Sequence, residues 1–240
     1  DRTSRGLGDV YKRQFVNMYI GHGGEFFEAG SAKPSINNAK GVATLNMLKK
    51  LADLSNPDYL THDSEAIKVE WEAGNVAIMT LWASRSGTLL DDEGDAKITA
   101  ATKLVAPATV GGGNIPAATL WWDGFTLAKN RSDADAEASF RAMAHAASSK
   151  EMVAKASDQA VWLVEGFVPG PKSVGVIEAV KMGAKPYPML PQMGLMHGAL
   201  GNEIVEFLQG NETAEQALKD VEAAYNLSLI HISEPTRRTI

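Results

Sequence analysis

The sequence has no cysteine, which removes disulfides and thiolate metal ligands while leaving the redox compartment open, an oxidising bacterial periplasm included. It has no apolar run near the roughly 18 residues that a membrane span requires. Its opening stretch, DRTSRGLGDVYKRQ, lacks the basic start, apolar core and small-residue cleavage site of a secretory signal. Familiar catalytic spacings are missing as well. GHGGE (21–25) contains His22 and Glu25 without the H-E-x-x-H spacing that sets two imidazoles on one helix face for zinc. GGGN (111–114) runs into Ile115 and Pro116, not into the Lys-Ser/Thr of a phosphate-cradling loop, and ASRSG (83–87) is not a G-x-S-x-G elbow. The enzymatic reading left open is a glycosidase, whose two carboxylates face each other about 5 to 9 Å apart; Asp123 with Glu70 or Asp63 would supply them.

Neither end resembles the middle of the chain. One permitted coding of Ser4 to Gln14, SRGLGDVYKRQ, reads on its complementary strand as LSLIHISEPTR, which is Leu227 to Arg237 at every position. Two unrelated segments have no reason to be antisense readings of one DNA. The pair resembles the transposase mosaic-end adapter of sequencing libraries, so residues 1–14 and 227–240 are expected to be adapter-derived tails, the outermost three at each end by adjacency alone. The tails carry six basic residues and three acidic ones, so the net charge of −6 for the whole chain becomes −9 for residues 15–226. That acidity disfavours nucleic acid and anionic membrane surfaces as partners, since both need a basic face.

What is present alternates helical and strand-like patterns, which predicts an α/β architecture. Asn37 or Asn38 caps a predicted helix with Val42, Leu45, Leu48 and Leu51 on one face, stopped near Pro57. A second helix is expected from Asp63 to Glu72, closed by Gly74. VAIMTLW (76–82), KLVAP (103–107) and WWDGFTLAK (121–129) read as strands. Ser132 with Asp135 opens a helix expected to bury Phe140 and Met143, and shorter helices are expected near 149–157 and 173–183. KPYPMLP (185–191) is a proline-punctuated connector. In the last helix Thr213 stands as N-cap with Gln216 three residues on, and Leu218, Val221 and Tyr225 form a stripe.

The order PSINNAKGVATLNMLKKLADL, EWEAGNVAIMTLWASRSG, WWDGFTLAKNRSDADAE and YPMLPQMGLMHGALGNEIVEFLQGNETAEQALKDVEAAY resembles the extracellular solute-binding proteins of sugar ABC transporters, the maltodextrin-binding type, across residues 15–226. The resemblance implies a periplasmic binding protein-like type II fold, two-lobed and α/β, with its N-terminal part missing. Residues 15–118 would form the second lobe, 119–188 a returning part of the first, and 189–226 the C-terminal helices. It implies a protein that binds a sugar or oligosaccharide between hinged lobes and hands it to a membrane permease. It further implies a monomer when full-length, periplasmic or lipid-anchored at the cell surface, with no cofactor, no metal and no catalysis. Such a fragment is expected to expose apolar surface meant for absent strands and to bind ligand weakly; a non-functional truncated fragment is the remaining alternative.

Sugar recognition needs flat apolar faces for the CH-bearing side of a ring and directed polar groups for its hydroxyls. Trp82, at the end of a predicted strand, is a packing residue or a stacking platform, and the resemblance favours the platform. Trp121 and Trp122 are adjacent, so in an extended chain they face opposite ways and at most one serves a given cleft. Asp123 is a hydroxyl-binding carboxylate or a solvated strand-end group, while Gly124 and Gly111 to Gly113 permit close backbone approach or merely turn the chain. Arg85 offers a fork of hydrogen-bond donors or a surface ion pair. Met196 and His197 fall where the family often places an aromatic ligand contact, and a histidine there departs from that habit.

Overall fold

The structure, a computed structural model, describes residues 9–91, 95–162 and 164–233. In chain order its elements are α1 (Asp9–Gly21), α2 (Ala39–Asp53), α3 (Ser64–Glu72), α4 (Ala83–Ser86), α5 (Ala96–Ala101), β1 (Thr119–Leu120), α6 (Asp133–Ser148), α7 (Lys150–Lys155), α8 (Val174–Lys181), β2 (Lys185–Pro186), α9 (Met193–Gln209) and α10 (Ala214–Ser233). The expected two-lobed α/β fold of the periplasmic binding protein type is not found: the chain is mostly helical, with one parallel pair of two-residue strands among the described residues. None of 76–82, 103–107 or 121–129 is a strand. An apolar run states that residues favour burial, but a strand exists only where a second backbone supplies the ladder. Among the described residues these three segments pair neither with one another nor with anything else as strands.

By contacts the chain divides into two compact units. Unit 1 comprises Asp1–Ile67, Ala108–Leu120 and Met182–Ile240. Its core is built from helical stripes: Tyr11, Phe15 and Tyr19 on α1; Leu45 and Leu48 on α2; Met193, Met196, Leu200, Ile204 and Phe207 on α9; Leu218, Val221 and Tyr225 on α10. These recur three or four residues apart, the spacing that lines one helix face. On α2 the buried positions are Leu45, Leu48 and Thr44, whose hydroxyl donates to the Lys40 carbonyl at 2.8 Å, whereas Leu51 is 44% exposed.

Side-chain caps mark where these helices begin. Asn38 accepts from the backbone N–H groups of Lys40 and Gly41, and the Thr213 hydroxyl accepts from that of Gln216 at 3.2 Å. Gly41 lets α2 start close against its neighbours, because a Cβ there would sit 2.1 Å from the Ile36 carbonyl oxygen. The turn from α9 into α10 depends on Gly210, left-handed at φ 86°, with the Asn211 N–H donating back to the Glu206 carbonyl at 2.8 Å. Long-range polar contacts then fix the loops: Glu222 accepts the N–H groups of Ile36 and Asn37, each at 2.9 Å, and the Tyr225 hydroxyl donates to the Ala32 carbonyl at 2.7 Å.

Residues 9–14 and 227–233, assigned to the tails from the sequence, continue α1 and α10; residues 1–8 and 234–240 lie outside the described residues. Tyr11 is buried and its hydroxyl donates to the Gly201 carbonyl at 2.8 Å. The strand pair also belongs to this unit, with Thr119 opposite Lys185 and Leu120 opposite Pro186. Its β2 member falls in the segment read as a connector, and Pro186 and Pro188, having no N–H, keep the ladder short.

Unit 2 comprises Lys68–Pro107 and Trp121–Lys181. Among its described residues the buried apolar side chains are Leu89, Val153 and Ala179. Two polar anchors supplement them. The Trp71 indole N–H donates to the Thr102 hydroxyl at 3.0 Å, which itself donates to the Ile98 carbonyl at 2.8 Å, and the Lys172 ammonium reaches Asp91 at 2.6 Å and Asp158 at 3.4 Å. Phe140, expected to be buried by α6, is 59% exposed, and Met143 is half-buried. Ser132 does cap that helix, accepting from the Asp135 N–H at 3.2 Å.

Candidate functional site

The predicted site residues fall into both units. In unit 2, Trp82 occupies the N-cap position of α4, and its carbonyl accepts from the N–H groups of Arg85 at 2.9 Å and Ser86 at 2.8 Å. Its extended φ/ψ of −57° and 135° turns the chain from the unpaired 76–81 segment into that short helix. Trp121 follows β1 directly. The indoles of Trp82 and Trp121 meet edge to face, with centroids 5.7 Å apart and planes 78° from each other, the arrangement their quadrupoles favour. Thus two residues 39 positions apart in sequence are brought together. Trp82 is half-buried, Trp121 is 39% exposed and Trp122 is 55% exposed.

Asp123 and Gly124 lie in irregular, exposed chain, and the Arg85 side chain is exposed on α4. The surface therefore offers an edge-to-face pair of rings, a neighbouring third indole, a carboxylate and a guanidinium. The two other carboxylates considered with Asp123 hold local structure. Asp63 accepts the N–H groups of Glu65 at 3.0 Å and Ala66 at 2.9 Å at the start of α3, while Glu70 accepts from the Asn75 amide at 3.0 Å.

Met196 and His197 lie in unit 1. Met196 is fully buried in the core, so its side chain meets protein on every side. His197 is half-buried; its Nδ1 stands 3.0 Å from the Tyr187 hydroxyl, and the two rings lie 5.9 Å apart at 37°. Burial pushes the Tyr187 phenol up to about 12, opposed by the nearby Arg13 charge. The phenol is thus neutral at physiological pH and keeps its proton for hydrogen bonding.

Two glycine-containing segments noted in the sequence meet in unit 1. His22 packs on the 108–117 loop so closely that a Cβ on Gly111 would come within 2.3 Å of its Nδ1. Its Nε2 is buried with no hydrogen-bond partner among the described residues, and desolvation lowers its basicity. That favours the neutral ring. Among the described residues no group of three or more His, Asp or Glu side chains is arranged to hold a metal.

Unit 1 also has two open depressions, one around Tyr19, Glu25, Asn38 and Lys40, the other between Phe26–Ala32 and Pro188–Gln192. No residue singled out from the sequence for ligand binding lines either of them. The Trp71–Thr102 bond and the Lys172 pairs within unit 2 carried no sequence signal, because their partners are remote in the chain and conform to no motif. Comparison with protein-family models finds no match, and comparison with curated proteins finds none either.

Proposed function

We propose that the chain binds a sugar or oligosaccharide as the substrate-capturing component of an ABC importer, with Trp82, Trp121 and Trp122 as the apolar platform and Asp123 and Arg85 as the hydroxyl-binding groups. The observation that carries this reading is the Trp82–Trp121 contact: two indoles packed edge to face, with an exposed carboxylate two residues after Trp121 and an exposed guanidinium three residues after Trp82, match the two-sided chemistry of a pyranose. The sequence resemblance supports the ligand class. The permease partner and the periplasmic or lipid-anchored location rest on that resemblance alone. Enclosure between two α/β lobes is not carried forward, since the fold it needs is not found. Nor are Met196 and His197 part of the proposed platform.

No covalent step is proposed. Binding would consist of stacking on the exposed indoles, exchange of water for ring CH groups, and hydrogen bonds from sugar hydroxyls to Asp123 and from Arg85 to sugar oxygens. Isothermal titration calorimetry with a maltodextrin series and with monosaccharides tests the reading. A saturable heat is expected with at least one carbohydrate, and Trp82→Ala or Trp121→Ala should raise Kd at least about tenfold, equivalent to about 1.4 kcal/mol. No heat with any carbohydrate ends the proposal. Release of reducing sugar that disappears in Asp123→Asn would replace it with the glycoside-processing reading.

A further inference from the structure

The end of α1 and the glycine loop at 108–117 approach each other closely within unit 1. A Cβ on Gly21 would come within 2.8 Å of the Val110 side chain, and one on Gly113 within 3.3 Å of the Gly21 carbonyl oxygen. The loop closes on itself: the Gly113 N–H donates to the Val110 carbonyl at 3.0 Å, and the Ala117 N–H to the Ala108 carbonyl at 2.9 Å. Gly111 and Gly112 make the turn at left-handed φ of 61° and 72°. His22, the residue that follows α1, brings an imidazole into this contact, with its Nδ1 against Gly111.

A neutral ring suits this place and an imidazolium does not. The neutral ring carries one N–H, which Nδ1 can hold while Nε2 is left bare. The cation carries N–H on both nitrogens, so Nε2, buried with no partner among the described residues, becomes a donor without an acceptor. No neighbouring carboxylate offsets that cost. Residues 108–117 include no ionisable side chain, and α1 has no charged residue from Gln14 to Gly21. Its titratable group there, Tyr19, is a phenol that donates to the Glu25 and Ser35 carbonyls. The turn after His22 brings Glu25, and α2 brings Lys40, whose ammonium donates to the Gly23 carbonyl; neither bonds the ring.

We propose that His22 is an acid-released latch: the neutral ring holds residues 108–117 against the end of α1, and protonation drives it out to water and opens the loop. The opening is bounded. Just beyond the loop the Thr119 hydroxyl donates to the Asn17 side chain of α1 at 2.8 Å, and β1 stays paired with β2. Proton linkage sets the direction. Burial lowers the basicity of docked His22 below the ordinary value of 6.5, which the ring recovers once released. Above about 6.5 both forms are neutral and the docked form keeps its full advantage; below it the released form binds the proton more tightly and gains population as pH falls. The proposal does not depend on sugar binding, since no residue of the proposed platform lies in 108–117.

NMR titration of the His22 ring and amide exchange of the loop, corrected for intrinsic rates, test it in the parent chain between pH 7.5 and 5. The ring is expected to titrate below 6.5, and protection of the Gly113 and Ala117 amides to fall at least about threefold as pH drops from there to 5. His22→Gln, which cannot titrate, should lose this response, whereas His145→Gln, at an exposed position of α6 in the other unit, should keep it. Circular dichroism at pH 7.5 checks that both variants retain their helices. The two parent measurements decide the matter even where His22→Gln leaves its loop undocked at every pH. A ring that titrates at 6.5 or above, or loop protection indifferent to pH, overturns the proposal. So does a pH response that survives in His22→Gln, or one abolished equally by His145→Gln.

Discussion

At the scale of single residues, the strongest statements come from side chains whose burial opposes their chemistry. Tyr11 and Tyr187 are both buried, and burial raises each phenol from its ordinary value of 10 to about 12. In the unfolded chain they ionise near 10. Between pH 10 and about 12 the folded state therefore holds protons that the unfolded state has lost, and stability falls as pH rises through that window, being fully present below it. Replacing both by Phe should flatten this part of the stability profile, as read from urea midpoints at pH 9, 10 and 11. The double variant should also lose some stability at pH 7, because the Tyr11 bond to the Gly201 carbonyl and the Tyr187 bond to His197 disappear. An unchanged alkaline slope would mean that other groups govern the loss.

At the scale of elements, the capped and periodic helices were legible, while α1, α4, α5 and the strands were not. Asn38, Ser132 and Thr213 cap the helices they precede, and the Leu218–Val221–Tyr225 stripe is fully buried, because caps and helical periodicity are written within a few consecutive residues. The segments 76–82, 103–107 and 121–129 have the apolar content of strands, but pairing depends on a distant backbone that a local pattern does not contain. The candidate site was legible in part: the Trp82, Trp121 and Asp123 side chains were named from their chemistry, while the contact between the two indoles is a tertiary fact. Met196 shows the converse, since a position matching a ligand-contact habit lies on the buried face of α9. Residues 9–14, expected from the sequence to be a tail, extend α1, with Tyr11 four residues before Phe15 on the buried face. The α9–α10 turn gives the element-scale prediction. Gly210 at φ 86° accepts a conformation that costs an L-residue about 1–2 kcal/mol, and Gly210→Ala should lower unit 1 stability by about that amount in urea denaturation, with Gly194→Ala, at an open helical position, as the control that does not.

At the scale of the whole molecule, the two units differ in what holds them. Unit 1 joins residues from both halves of the sequence through one continuous apolar core on α1, α2, α9 and α10, reinforced by Glu222 and Tyr225. Among its described residues unit 2 rests on three buried apolar side chains, the Trp71–Thr102 bond and the Lys172 ion pairs, while Ile78, Val105, Phe125, Phe140 and Val168 are each more than half exposed. Apolar burial is the main term opposing chain entropy, so stability should be distributed as unevenly as the core. Two unfolding transitions are expected in urea. The first, at low denaturant, should alter the fluorescence of Trp71 and of the Trp82–Trp121 pair while most helical circular dichroism survives. The second should take the helices of unit 1, whose tyrosine environment reports it separately. Limited proteolysis gives an independent reading, with early cuts expected in 76–81, 103–107 and 122–128, and α9 and α10 recovered intact. A single transition with coincident fluorescence and circular dichroism would mean that unit 2 draws its stability from unit 1 and has no separate melting. The sparse packing of its own side chains would then be the wrong basis for judging how firmly the indoles are held.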